Sequence, residues 1–140
     1  MTSEDLRQSL YEAFMSEDFQ KVPALISTAY HDDLSILVGR KLNPDKIKTR
    51  SMGCLDGLEI IAYHGYKFLI CATGKESYIL DDLTSPELGL EYHPVSVAEL
   101  ITFGITKEFH GLAFIFPEQT CCIEWADLGP REFKLRYAGK

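Results

Sequence analysis

"YHGYKFLICATGKESYIL", Tyr63 to Leu80, is the stretch on which the reading of the fold turns. It carries a histidine, a cysteine and a Gly-Lys pair, residue types that suit a catalytic or phosphate-binding loop. It also carries His64-Gly65 and Gly74-Lys75, two-residue links of the kind that hairpins favour because primed turns need positive φ. The flanking runs "LEIIAY", "YKFLICAT" and "ESYILDD" are rich in β-branched and aromatic residues. Gly65 and Gly74 are therefore expected to be the pivots of a three-stranded meander. A phosphate loop needs a glycine five residues before the Gly-Lys pair and a Ser or Thr after it. Here Glu76 takes the hydroxyl position, and a carboxylate there would repel a nucleotide.

Upstream the pattern is helical. In "EDLRQSLYEAFM", Leu6, Leu10 and Phe14 fall at i, i+4 and i+8, the stripe of a surface helix. Thr2 with Asp5, or Ser3 with the early acids, supplies the N-cap. A second helix is expected from about Phe19, with Val22, Leu25, Ile26 and Ala29 apolar and Pro23 tolerated in the first turn. Leu34 to Val38 reads as either a strand or more helix, and "LNPDKIKTRSMG" as a polar connection.

Downstream, "TSPELGLEYHP" is expected to break the sheet. Ser96 and Glu99 have capping-box spacing before a helix with Val97, Leu100 and Ile101 on its apolar side, and Gly104 stands at the expected C-cap. "GLAFIF", "TCCIEWA" and "REFKLRY" then form a second meander. In its last strand Phe133, Leu135 and Tyr137 alternate with Glu132, Lys134 and Arg136. The expected fold is α+β, two N-terminal helices followed by two antiparallel three-stranded meanders separated by a helix (α-α-βββ-α-βββ).

Composition agrees with a folded body. The 140 residues are 46% hydrophobic and 25% charged, the range of an ordinary globular chain, and a single domain over 1–140 is expected. Apolar runs such as "SILVG" and "FLICA" are far shorter than the roughly 18 residues of a membrane span. The acidic N-terminus lacks the pattern of a signal peptide. Four cysteines without disulfide or metal spacing suit reduced thiols in the cytoplasm.

Charge is unevenly spread. Residues 1–38 hold seven acids and two bases, and residues 56–100 hold eight acids and two bases. Between them lie Arg40, Lys41, Lys46, Lys48 and Arg50 with the single acid Asp45. A net charge of −7 disfavours a nucleic-acid partner and favours a basic one. The basic stretch Arg40 to Arg50 is expected to be either a disordered loop or the surface that pairs with acidic patches in a homodimer.

No constellation names an enzyme, a metal or a cofactor. His31-Asp32-Asp33 and Cys121-Cys122 offer ligand atoms, but without the paired spacing of zinc sites. Adjacent Cys121 and Cys122 on a strand must point to opposite faces. Cys71 can meet His64 or His110 only through folding, and neither it nor Cys54 has the sequence context of an activated thiolate.

Two segments resemble known families. Residues 98–137, with "ELITFGI" and "IEWAD", resemble the C-terminal segment of the TsaE-type tRNA-modification ATPases, whose phosphate loop is absent from this chain. "LYEAFMSEDFQKVPALI" (residues 10–26) is similar to the opening helices of SnoaL-like (nuclear transport factor 2-like) proteins. The second resemblance implies a pocket between helices and sheet, hence a small enzyme or ligand-binding domain, as would a Cys/His site.

The leading expectation is a different one. Tyr63, Tyr66, Tyr78 and Tyr92 cluster around the first meander with Asp81, Asp82, Glu87 and Glu91. Tyrosines in an acidic surround suit an interface with a basic protein, since aromatics anchor and charge steers. A small acidic cytosolic module that masks or inhibits a partner, in the manner of immunity proteins, phage inhibitors or secretion chaperones, is the function expected.

Overall fold

The computed structural model describes residues 1–42, 58–63, 65–117, 119–126 and 129–139. Two helices open the chain. Thr2 caps α1 (Ser3–Met15) through a capping box: its hydroxyl accepts from the Asp5 amide, and the Asp5 carboxylate accepts from the Thr2 amide, both at 3.1 Å. Leu6, Leu10, Ala13 and Phe14 form its buried stripe. α2 (Lys21–His31) starts without a side-chain cap, keeps Pro23 in its first turn, and buries Val22, Ile26 and Ala29.

The fold is α+β. Among the described residues eight strands form one sheet: β1 (Ser35–Lys41), β2 (Ile60–Tyr63), β3 (Tyr66–Ala72), β4 (Thr84–Ser85), β5 (Leu90–Ser96), β6 (Gly111–Phe116), β7 (Gln119–Ala126) and β8 (Gly129–Gly139). The order across the sheet is β4-β5-β1-β3-β6-β7-β8, with β2 beside β3. β1 pairs along its whole length with β5, but meets β3 only at Leu37 and Val38. Past Val38 the two strands part and the chain around β2 fills the gap. The Glu59 amide donates to the Gly39 carbonyl and the Ile70 amide to the Glu59 carbonyl.

α3 (Val97–Thr106) carries the chain from β5 over β1 and β3 to β6, which lies parallel to β3. A parallel pair needs such a crossover. The other strand pairs are antiparallel. The Ser96 hydroxyl accepts from the Glu99 amide at 3.1 Å, the cap that the S-x-x-E spacing implies. At Gly111 a Cβ would fall 1.9 Å from the Ile123 carbonyl oxygen, so β6 can enter beside β7 only with glycine there.

The sheet is buried on both faces at its centre. Ile36, Val38, Leu69, Cys71, Leu112, Phe114, Cys121 and Ile123 meet the three helices, and Phe14 packs between Phe114 and Phe116 with ring centroids 5.0 Å from each. On the opposite face Leu37, Ile70, Ala72, Leu90 and Tyr92 pack under Ile79 and Leu83. Unbroken apolar runs such as "FLICA" result from this double burial.

Several details differ from the sequence expectation. Leu34 to Val38, which the sequence leaves open between strand and helix, runs into β1, a central strand that starts at Ser35. "ESYILDD" is a loop, so Gly74-Lys75 is not a hairpin turn; Gly74, with φ 90, instead starts the loop that folds back over the sheet. "LEYHP" does not break the sheet but lies in β5. Pro94 is tolerated there because the Tyr92 amide points to the outer edge, towards the Leu83 carbonyl. The missing N–H of Pro94, two residues on, faces the same edge. Gly104 is a buried residue within α3 rather than its C-cap, and Glu108, at φ 63, holds the left-handed position after the helix. Cys121 and Cys122 face opposite sides of the sheet as their adjacency requires.

No helix among the described residues is long and apolar enough to cross a membrane.

Candidate functional site

Residues 73–89, between β3 and β5, form a lobe on the sheet face away from the helices, and its base is built on one carboxylate. Glu76 is buried, and its two oxygens accept from the Thr73 amide at 3.2 and 3.0 Å. One of them also accepts from the Thr73 hydroxyl at 2.8 Å and the Gly74 amide at 2.9 Å. A short acidic side chain thus ties off the backbone donors that the end of β3 leaves free.

Two tyrosines extend this anchor. The Tyr78 hydroxyl donates to the Ile115 carbonyl of β6, which fixes the lobe across the sheet. Burial, reinforced by the Glu76 charge, pushes the Tyr78 phenol far above its usual range. Tyr92 lies inside near Tyr78, Ser85 and Glu76, and burial pushes its phenol up to about 12. Both rings therefore stay neutral at physiological pH.

Beyond the base the chain turns tightly. The Leu83 amide donates to the Leu80 carbonyl at 2.9 Å, and the Leu80 amide to the Thr84 carbonyl at 2.8 Å. The Thr84 hydroxyl donates to Asp82 at 2.6 Å. β4 then pairs with β5 through Thr84–Glu91 and Ser85–Leu90. The outer surface of this scaffold shows Leu80, 52% exposed, and Leu88, 39% exposed, together with exposed Asp81, Asp82 and Glu87.

The residues expected at an interface thus separate into three groups. Asp81, Asp82 and Glu87 lie together on the lobe surface, while Tyr78 and Tyr92 support it from below. Glu91 is buried on the helix-facing side of β5, opposite Arg40 of β1 and 3.6 Å from His93. Tyr66 is half-buried against His110, ring centroids 4.7 Å apart, at the far end of β3. Tyr63 is described by its backbone alone, across from Tyr66 at the end of β2.

Of the basic stretch, Arg40 is buried and Lys41 exposed, whereas Lys46, Lys48 and Arg50 lie outside the described residues, as do Cys54 and His64. The thiols of Cys71 and Cys121 are buried, and desolvation is the main cause raising both above the ordinary range, Cys121 to about 12. That holds them as thiols and disfavours nucleophilic use. His110 accepts at Nδ1 from the Lys67 amide at 3.1 Å, a structural tie between strands. Among the described residues no three His, Cys, Asp or Glu side chains converge in a way that could hold a metal ion.

One feature carried no mark in the sequence. A cleft of about 340 Å³ opens beside the lobe, where α1 ends near the turn between β6 and β7. Tyr11, Phe14, Met15 and Glu17 line it from the helix side, Glu76 and Ser77 from the lobe, and Phe116, Pro117 and Gln119 from the sheet. Its residues come from three distant stretches, so no local spacing could announce it.

No protein-family model, curated protein sequence or solved structure matches the chain.

Proposed function

We propose that this protein binds and masks a partner protein with a basic, partly apolar surface, and that the lobe of residues 73–89 is the contact. One observation carries this reading: a lobe tied down from beneath by Glu76, Tyr78 and Tyr92 displays two exposed leucines among three exposed acids. Leucines on a preorganised surface lose little conformational freedom on binding. The acids add steering and reject acidic competitors. A chain with net charge −7 favours basic partners at long range as well.

Capture from extracts of the source cell, with elution by stepped salt, tests this reading. The wild-type chain is expected to retain a basic protein that leaves as salt rises. A Leu80→Ser/Leu88→Ser variant and an Asp81→Asn/Asp82→Asn/Glu87→Gln variant should each lose it while keeping the wild-type melting curve. Undiminished capture by both variants would place the contact elsewhere.

A further inference from the structure

Resting on that reading, we propose that the cleft beside the lobe receives a lysine or arginine side chain of the basic partner. The cleft pairs apolar lining with carboxylates, the surroundings that an alkyl cation requires. Half-buried Tyr11 and exposed Met15 give it an accessible apolar wall, backed by Phe116 and by Phe14, which is buried between Phe114 and Phe116. Apolar stems of lysine and arginine pack on such surfaces, and ring faces attract the charged head.

Among the described residues two carboxylates, Glu17 and Glu76, line the cleft, and no lysine, arginine or histidine does. Their roles differ. Glu76 is already engaged by Thr73 and Gly74, so it contributes a fixed negative charge rather than a free pair of oxygens. Glu17 is exposed, and its side chain makes no hydrogen bond or ion pair among the described residues, so it is free to close an ion pair at the mouth. Its backbone sits at φ 58, held by its amide to the Phe14 carbonyl and by the next amide to the Ala13 carbonyl. That turn sets Glu17 where α1 stops, in the lining of the cleft.

Size and ligand count narrow the occupant. A cleft of about 340 Å³ is at the small end for organic ligands and suits one side chain better than a nucleotide. A hard metal ion would need several free oxygens, and among the described residues Glu17 alone supplies a free carboxylate. The cleft also adjoins the lobe through Ser77, so a partner seated on Leu80 and Leu88 is positioned to send a basic side chain into it.

The test uses capped tripeptides as probes: Ala-Lys-Ala, Ala-Arg-Ala and the neutral isostere Ala-norleucine-Ala. Titration into isotope-labelled protein is followed by backbone amide NMR. The two cationic peptides are expected to move the Glu17, Ser77 and Gln119 signals, with the norleucine peptide roughly fivefold or more weaker. Glu17→Gln should weaken the lysine peptide about threefold and leave the rest of the spectrum in place. Equal binding of the norleucine peptide would make the cleft a plain apolar slot and overturn the proposal, as would silence at those three signals with every peptide. The Leu80→Ser/Leu88→Ser variant should still bind the lysine peptide. Partner capture that persists with a silent cleft overturns the cleft assignment alone. Loss of the lysine peptide's selectivity has no bearing on the lobe.

Discussion

At the scale of single residues, Glu76 shows how one side chain converts a strand end into a rigid support. It follows Gly74-Lys75, where the sequence suggests a hairpin, yet its carboxylate draws the chain back before a third strand can pair. Local spacing does not reveal this, because the competing hydrogen bonds are made within three residues and cost the chain only one glycine at φ 90. Glu76→Gln keeps the shape and one acceptor oxygen but removes the charge that Thr73 and Gly74 bond. Stability should fall by about 1.5–3 kcal/mol, measured by urea unfolding. Amide exchange at Thr73 and Gly74 should quicken, while Glu87→Gln, a change at the exposed surface, should alter neither. Unchanged exchange in Glu76→Gln would mean that the lobe is held by Tyr78 and β4 alone.

At the scale of elements, the three helices end alike. Glu17, Asp33 and Glu108 follow the C-caps of α1, α2 and α3 at φ 58, 56 and 63, the left-handed conformation that glycine adopts most easily. Non-glycine residues are strained there. Asp33→Gly and Glu108→Gly should therefore each stabilise the fold by about 0.5–1 kcal/mol, the relief of strain less the extra freedom of glycine in the unfolded chain. Thermal melts of the two variants check this, and a lower melting temperature would show that the acidic side chains make up for their strain. These ends also show where sequence reading stops. The helix stripes, the Thr2 and Ser96 caps, the second meander and the opposed thiols of Cys121 and Cys122 follow from periodicity and short-range rules, and they were legible. Gly104 was misleading because it is buried within α3, where the absence of a side chain reflects close packing rather than termination. β1 and β5 were obscured by Asp33, Gly39 and Pro94, whose tolerance depends on pairing across the sheet that no local window contains. The acids of the lobe are legible as a cluster, whereas Glu91 reads as a surface acid in sequence although its place in β5 turns it inward. The cleft, built from α1, the lobe and the β6–β7 turn, was invisible for the same non-local reason.

At the scale of the whole molecule, a sheet covered on both faces brings ionisable groups into both layers of the core. Cys71 and Cys121 lie beneath the helices, and Tyr78 and Tyr92 lie beneath the lobe. Burial raises all four, Cys121 and Tyr92 each to about 12, from ordinary values of 9.0 and 10.0. Between those limits the unfolded chain releases protons that the folded chain retains. Stability from these groups is thus fully present below about pH 9 and declines as pH rises towards 12, by up to about 1.4 kcal/mol per pH unit for each group in its window. The urea midpoint should be level from pH 7 to 8.5, fall from pH 9 as the thiols titrate, and fall more steeply above pH 10 as the phenols join. A Cys71→Ala/Cys121→Ala variant starts less stable but should lose the fall between pH 9 and 10. If its alkaline limb instead begins at the same pH and with the same slope as the wild type, the general repulsion of an acidic chain, not the buried thiols, governs the decline.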